Sequence, residues 1–330
     1  MNNWRGSIAA GVAALLVTAT AAAQSASTSS GQAFPVRPVR ILVPFSPGSV
    51  TDLLARTVGE KLTGSWGQQV VVENRPGAAS VVGTGIAAMA APDGYTLLMV
   101  SNGHAVIGSL YSKLPFDPIK DFSGITRVAS VTLVLVTPAT LPATTLKEFI
   151  ALAKAKPGTL NYASAGLGST AYVSAELFKS VAQVNIVHVP YKGLPEALTD
   201  TMTGRVQMYF LGLVGGLPHI QAGRVRALAV SIPKRAPALQ EVPTMEEAGL
   251  PGFDYDAWFG LLTLAKVPRP LVARLHRDVV RVLDLPDVRA RLSGAGADPT
   301  PNTPEQFDAL IRADAAKLGK ILKDAGIQPQ

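Results

Sequence analysis

No cysteine occurs among the 330 residues. That absence excludes a disulfide framework, a thiol nucleophile, thiolate-held zinc and the lipid-bearing cysteine of a bacterial lipoprotein. Histidine is nearly as scarce: His104, His188, His219 and His276 are the full set, and no two stand at metal-ligand spacing. No Gly-x-Ser-x-Gly elbow is present for hydrolase chemistry. The Lys and Arg residues form no basic run and no interleaving with aromatics, so nucleic acid is not an expected partner. After the N-terminal segment no apolar run approaches the length of a membrane span.

That N-terminal segment reads as a secretory leader. Arg5 precedes an alanine-rich apolar run over 8–19, and Ala21-Ala22-Ala23 supplies small residues for cleavage after Ala23. Residues 1–23 are therefore expected to be a cleaved signal peptide that takes the mature chain out of the cytoplasm. Residues 24–34, rich in Ser, Thr and Gly up to Gln32, are expected to be a flexible N-terminus without function. Cleavage leaves 307 residues and lowers the formal charge from +7 to +6, because only Arg5 is lost. The length suggests two domains, and the positive balance fits a small anionic ligand better than a polymer.

Val39-Arg40-Ile41-Leu42-Val43 is a short β-branched run that breaks at Pro44-Phe45-Ser46-Pro47-Gly48. Leu54, Val58 and Leu62 then recur every four residues, and Ser49-x-x-Asp52 fits a capping box. A strand ending at the start of a helix leaves backbone N–H groups pointing into the gap, and the helix dipole favours an anion there. The same turn also serves in many α/β proteins merely to pack a helix.

Strand-like and helix-like segments alternate along the rest of the chain, the pattern of an α/β protein with a largely parallel sheet. Strands are expected over 70–73, 95–100, 131–136, 160–163, 184–189, 206–211, 227–231 and 258–264. Helices are expected over 82–91, 146–156, 173–181, 196–202, 244–248, 270–283 and 304–325. Ser101-Asn102-Gly103-His104 forms a polar loop on the same side as Ser46. Ser164-Ala165-Gly166-Leu167-Gly168-Ser169-Thr170-Ala171-Tyr172 repeats the opening strand-loop-helix arrangement. Two α/β domains joined by two crossings are expected: 35–130 with 253–330, and 131–252. Hinges are expected near 129–131 and 252–257, with a ligand cleft between the domains.

Other features divide between functional and structural readings. Gly166-x-Gly168-x-x-Ala171 matches part of a dinucleotide fingerprint, but Ile186-Val187-His188-Val189-Pro190-Tyr191 lacks the acidic residue that should hold the ribose. His188 in an apolar strand reads as a core residue, and His104 in its polar loop as a cleft residue. Asp254 and Asp256 read as solvated carboxylates. Lys192, after Val189-Pro190-Tyr191, is either a cation for an acidic ligand or a surface lysine.

These segments together resemble the Bug (TctC-like) family, the extracytoplasmic solute receptors of tripartite tricarboxylate transporters. The resemblance rests on Pro44-Phe45-x-x-Gly48-x-x-x-Asp52, Val72-Glu73-Asn74-Arg75-Pro76-Gly77-Ala78, Ala91-Pro92-Asp93-Gly94-Tyr95-Thr96-Leu97-Leu98 and Asp117-Pro118-x-x-Asp121-Phe122. It continues through Ala153-Lys154-x-x-Pro157-Gly158, Tyr162-Ala163-Ser164-x-Gly166-x-Gly168, His188-Val189-Pro190-Tyr191-Lys192-Gly193, Ala227-Leu228-Ala229-Val230, Val242-Pro243-Thr244-x-x-Glu247-Ala248-Gly249 and Trp258-Phe259-Gly260. It implies a type II periplasmic-binding-protein fold, a periplasmic location, no catalysis and no cofactor or metal. The implied ligand is a small carboxylate, and the implied partners are the inner-membrane permease subunits to which a monomeric receptor delivers it. A ligand-dependent sensory protein docking on a membrane kinase is the alternative, with an exported enzyme a distant third.

The expected ligand-binding residues are Phe45, Ser46, Pro47, Gly48, Ser49, Thr51 and Asp52 in the first loop, with Ala79, Ser80, Ser101, Asn102 and His104 beside it. From the second domain come Ser164, Gly166, Gly168, Ser169, Thr170, Tyr172, Tyr191, Lys192 and Leu211. Ser49 and Ala79 stand where the family commonly has glycine, Tyr172 where histidine is frequent, and Leu211 where Asp often reaches a ligand amine. Tyr172 and Leu211 are therefore expected to make the pocket more apolar, against an amino acid and toward an aromatic or branched carboxylate.

Overall fold

The computed structural model describes residues 34–329, apart from 254 and 295, and not the side chain of Ala79. The expected leader, the flexible segment up to residue 33 and Asp254 lie outside the described residues. No helix among the described residues is long and apolar enough to cross a membrane.

The chain opens with β1 (Val39–Val43), α1 (Val50–Trp66), β2 (Val70–Asn74), α2 (Val81–Ala88) and β3 (Thr96–Ser101). A 3-10 segment over Asn102–Val106 leads to the short α3 (Ile107–Leu110) and then to β4 (Phe122–Val131). The second sheet is built from β5 (Leu133–Pro138), α4 (Leu146–Ala155), β6 (Asn161–Ser164), α5 (Thr170–Ala182), β7 (Val187–Pro190), α6 (Leu194–Met202), β8 (Met208–Gly212), α7 (Leu213–Gln221) and β9 (Val225–Val230). The chain returns through β10 (Trp258–Leu264), α8 (Arg269–Leu283), α9 (Pro286–Gly294), β11 (Ala297–Pro299) and α10 (Pro304–Asp324).

The two sheets run β11-β4-β10-β3-β1-β2 and β7-β6-β8-β5-β9. In the first, β1 pairs in parallel with both β2 and β3; in the second, β6 pairs in parallel with both β7 and β8. β1 and β6 are thus the strands at which successive connections diverge to opposite sides. The carboxyl end of such a strand is where open α/β sheets leave a crevice. The alternation points to a largely parallel sheet, but both sheets are mixed. β10 runs antiparallel to β3 and β4, and β5 antiparallel to β8 and β9. Each of these strands enters its sheet from the crossing at the carboxyl-end side, so it must run away from it.

Trp258, Phe259 and Gly260 show why the returning strand has its sequence. Trp258 is fully buried, its indole N–H donates to Asp314 Oδ2 at 2.6 Å, and its ring meets Phe307 edge to face at 5.2 Å. A Cβ on Gly260 would sit 2.0 Å from the Phe307 ring, so only glycine lets that ring lie on the strand. Burial of Trp258, Phe307, Leu262 and Phe122 in one cluster fixes α10 across the first sheet.

The first crossing is short, and the return is pinned just before β10. β4 ends at Val131 and β5 begins at Leu133, leaving Thr132 alone between the sheets. On the return, Arg127 makes an ion pair with Asp256 at 2.7 Å, and Ser130 Oγ donates to the same carboxylate at 2.6 Å. Phe253 stacks on Phe210 with ring centroids 5.6 Å apart. Asp256 is therefore a paired carboxylate, not a freely solvated one. The expected helix over 244–248 is a turn: Thr244 bridges to Val230 instead, and only the Ala248 N–H reaches back to the Thr244 carbonyl.

Candidate functional site

The loops after β1 and β6 reach the same cavity and are built alike. Ser49 precedes α1 at φ −69° and ψ 160°, and its Oγ accepts the Asp52 N–H at 3.2 Å. Ser169 precedes α5 at φ −71° and ψ 153°, and its Oγ accepts the Tyr172 N–H at 3.3 Å. The Ser49 and Ser169 N–H groups turn back to the carbonyls of Ser46 and Gly166. Of the four amides a helix start leaves over, two in each loop are thereby consumed. The amides of Val50 and Thr51, and of Thr170 and Ala171, have no partner among the described residues. All four residues line the cavity.

Asp52 shapes the first loop from behind. It is 4% exposed, and its carboxylate accepts Gly48 N–H at 3.0 Å and Asn74 Nδ2–H at 2.9 Å, with Arg56 at 2.9 Å. Burial raises its pKa, but the bonds from Arg56, Gly48 and Asn74 and the Arg56 charge outweigh that and hold it below the ordinary value. The capping box is therefore only half made, since the acid turns to Gly48 at φ +79°, a left-handed position suited to glycine. Ser164 does the same for the second loop: its Oγ accepts Gly166 N–H at 3.0 Å and contacts His188 Nε2 at 2.7 Å.

The cavity has a volume of about 230 Å3. Of the expected residues, Phe45, Ser46, Pro47, Gly48, Ser49, Thr51, Ser101, Ser169, Thr170 and Lys192 line it. Ser80, Gly166 and Tyr191 line an adjoining chamber of about 380 Å3, which shares Phe45, Ser46, Ala165 and Lys192 with the first. Among the described residues Lys192 is the single charged residue lining either chamber, and no carboxylate lines them. The Tyr191 hydroxyl is turned away to Asp200 Oδ2 at 2.9 Å; burial and that carboxylate push its pKa up to about 12.

Asp52, Asn102, His104, Ser164, Gly168, Tyr172 and Leu211 line neither chamber. Asp52 and Ser164 hold the loops from behind, as above. Gly168 and Asn102 sit at the contact between lobes. A Cβ on Gly103 would lie 1.5 Å from the Gly168 carbonyl oxygen, and Thr170 Oγ1 donates to Asn102 Oδ1 at 3.3 Å. Ala79 lies in the 3-10 turn before α2. His104 is not a cleft residue: it is 3% exposed and its Nε2 lies 2.8 Å from the Pro118 carbonyl. Burial lowers its pKa to about 4, so it stays neutral. Tyr172 packs against His188 at 4.9 Å in the core. Leu211 is fully buried against Gly216 of α7.

Tyr172 and Leu211 thus do not set the pocket's character. Its apolar wall comes from residues that sequence reasoning passed over: Leu53, Leu133, Ala165, Leu194, Phe210, Val214 and Phe259, with Tyr209, Gly193, Gly212 and Gly215 beside them. The strand-to-helix junction at Gly212, like those at Ser49 and Ser169, is the signal that could have found Phe210 and Val214.

A family model described as the tripartite tricarboxylate transporter family receptor matches residues 54–327. BugT of Bordetella pertussis is 35% identical over 299 residues, which are 90% of this chain and 92% of that one. Among solved structures, R. palustris Rpa4515 with adipate is similar at 34% identity and a TM-score of 0.85, covering 90% of this chain and all of that one. MatC from Rhodopseudomonas palustris with bound malate is similar at 34% identity and a TM-score of 0.81, over 88% of this chain and all of that one. The two-sheet architecture with its cleft is the type II periplasmic-binding-protein fold.

Proposed function

The chain belongs to the tripartite tricarboxylate transporter family of receptors, and from that premise we propose that it captures a small organic carboxylate by closing its two lobes. The family is one of solute-binding receptors, which removes the exported-enzyme reading. One observation carries the proposal: two capped helix starts, one from each sheet, present the amides of Val50, Thr51, Thr170 and Ala171, unpaired among the described residues, to one cavity that none of the described acids lines. Such amides and the positive helix ends favour a carboxylate. The adipate and malate in the similar structures are acids of that kind.

In this reading the receptor works in the periplasm after its leader is cleaved and delivers its ligand, as a monomer, to the permease subunits of a tripartite tricarboxylate transporter. We place one domain at 35–130 with 253–330 and the other at 131–252, with the hinges near 129–131 and 252–257. Rotation there would open and shut the cavity without separating the lobes.

A thermal-shift screen over organic acids tests this reading. Binding to the folded state alone stabilises it by RT ln(1 + [L]/Kd), so an acid at a hundredfold its Kd should raise the melting temperature by on the order of 5 °C. A full panel of mono-, di- and tricarboxylates that leaves the transition unmoved would sink the proposal.

A further inference from the structure

Tyr209 brings an unpartnered hydroxyl to the apolar side of the main cavity. It is 5% exposed and lines the cavity, and its hydroxyl makes no hydrogen bond among the described residues. Tyr162, Tyr191 and Tyr255 differ, donating theirs to Glu176, Asp200 and the Thr170 carbonyl. The Tyr209 hydroxyl is not sealed in the core either, so its open side is the cavity. Burial raises its pKa, so it stays protonated and remains a donor.

The start of α7 borders the same space. Successive side chains of β8 alternate, so Tyr209 shares a face with Leu211, which packs on Gly216 of α7. Gly215 lets the α6 start come equally close, since a Cβ there would lie 2.7 Å from Leu194 Cδ2. α7 begins at Leu213 without a side-chain cap, and the Leu213 N–H donates to the Thr132 carbonyl at 2.9 Å. The next two amides, of Val214 and Gly215, have no intrahelical partner by position, and both residues line the cavity. Leu133, Leu194 and Phe210 line it too, and none of the described acids does.

We infer that Tyr209 and the α7 start form a specificity subsite for a neutral oxygen acceptor, a ketone-type carbonyl on the body of the bound acid. This rests on the carboxylate-receptor reading and deepens it by naming the group that the ligand carries beyond its carboxylate. One hydroxyl and two amides among apolar side chains satisfy a carbonyl oxygen, which gives up little hydration on entering. A second carboxylate would lose far more hydration than those three donors return. The positive end of α7 favours the partial negative charge of the carbonyl oxygen. An acid with a plain hydrocarbon body would cover the Tyr209 hydroxyl and leave it unmet, which is unfavourable.

Isothermal titration of the mature protein with 4-oxopentanoate, 5-oxohexanoate and 6-oxoheptanoate, each beside the unsubstituted acid of the same length, tests the subsite. 4-Acetylbenzoate beside 4-ethylbenzoate extends the series to an aromatic body. At least one oxo acid should bind about tenfold tighter than its partner, the upper range for one hydrogen bond to a buried donor. Tyr209→Phe removes only the hydroxyl. It should erase that advantage, leave the unsubstituted acid unchanged, and keep or raise the melting temperature, since no partner within the fold is lost. Equal binding within every pair, equal loss for both members in the variant, or a lowered melting temperature overturns the subsite while leaving carboxylate capture standing. A parent protein that binds none of these acids also overturns the subsite, and one that binds no acid in the thermal screen overturns both readings.

Discussion

Gly103→Ala is expected to weaken ligand binding by roughly a hundredfold while leaving both lobes folded. The added Cβ would fall 1.5 Å from the Gly168 carbonyl oxygen, and both sides of that contact are backbone, so no side chain can step aside. The overlap exists only where the loop after β3 meets the loop after β6, and opening the cleft relieves it. An overpacked contact of this kind costs about 3 kcal/mol. Charged against the closed state alone, that penalty lowers the binding-competent fraction and raises the apparent Kd by about two powers of ten. Titration with the acid found by the thermal screen reads the affinity, and small-angle scattering reads the radius of gyration. The variant should be more expanded without ligand and should contract only at about a hundredfold higher ligand concentration. Unchanged affinity would mean that these loops move apart without the lobes, and the clamp reading would then be wrong.

The parts of this clamp that a sequence displays are the local ones. Ser49, Asp52 and the Leu54, Val58 and Leu62 stripe lie within one strand-loop-helix unit, and all three apolar residues are fully buried where the periodicity put them. Ser169 repeats the unit 120 positions later with the same cap. What depends on partners far along the chain is not displayed. β4 escaped notice because Gly124, Arg127 and Ser130 break its apolar pattern; it is a strand because β10 and β11 flank it and Asp256 neutralises Arg127. His104 looked like a cleft residue because its neighbours are polar, and only the fold brings the Pro118 carbonyl and the Phe122 ring to it.

Leu211 and Phe210 show a second limit. A half-buried strand advertises its inner face by alternation, but Met208, Tyr209, Phe210 and Leu211 are all buried, so the pattern carries no register. Which of the two faces the ligand is decided by α7, whose Gly216 leaves room for Leu211 and turns Phe210 to the cavity. The apolar wall inferred from Leu211 exists, but other residues make it.

Asp52→Asn should lower stability by about 2–3 kcal/mol at neutral pH and loosen the first loop enough to weaken ligand binding as well. The carboxylate accepts from Arg56, Gly48 and Asn74 together. An asparagine keeps one acceptor oxygen and turns an NH2 group toward a donor, leaving a buried partner unsatisfied. Arg56 is half exposed and adds little; Gly48 and Asn74 account for most of the loss. The pH dependence separates this from a simple packing defect. Hydrogen bonds and charge hold the folded pKa of Asp52 below its ordinary value of 3.8. Its contribution is therefore fully present above that value and is lost as pH falls through the lower folded pKa. Urea unfolding of parent and variant should differ by a constant amount from neutral pH down to about 5, then converge as the solution is acidified below about 4. A gap that persists unchanged into strong acid would show that the carboxylate's charge is not what holds Gly48 in place. The four free amides would then owe their aim to packing alone.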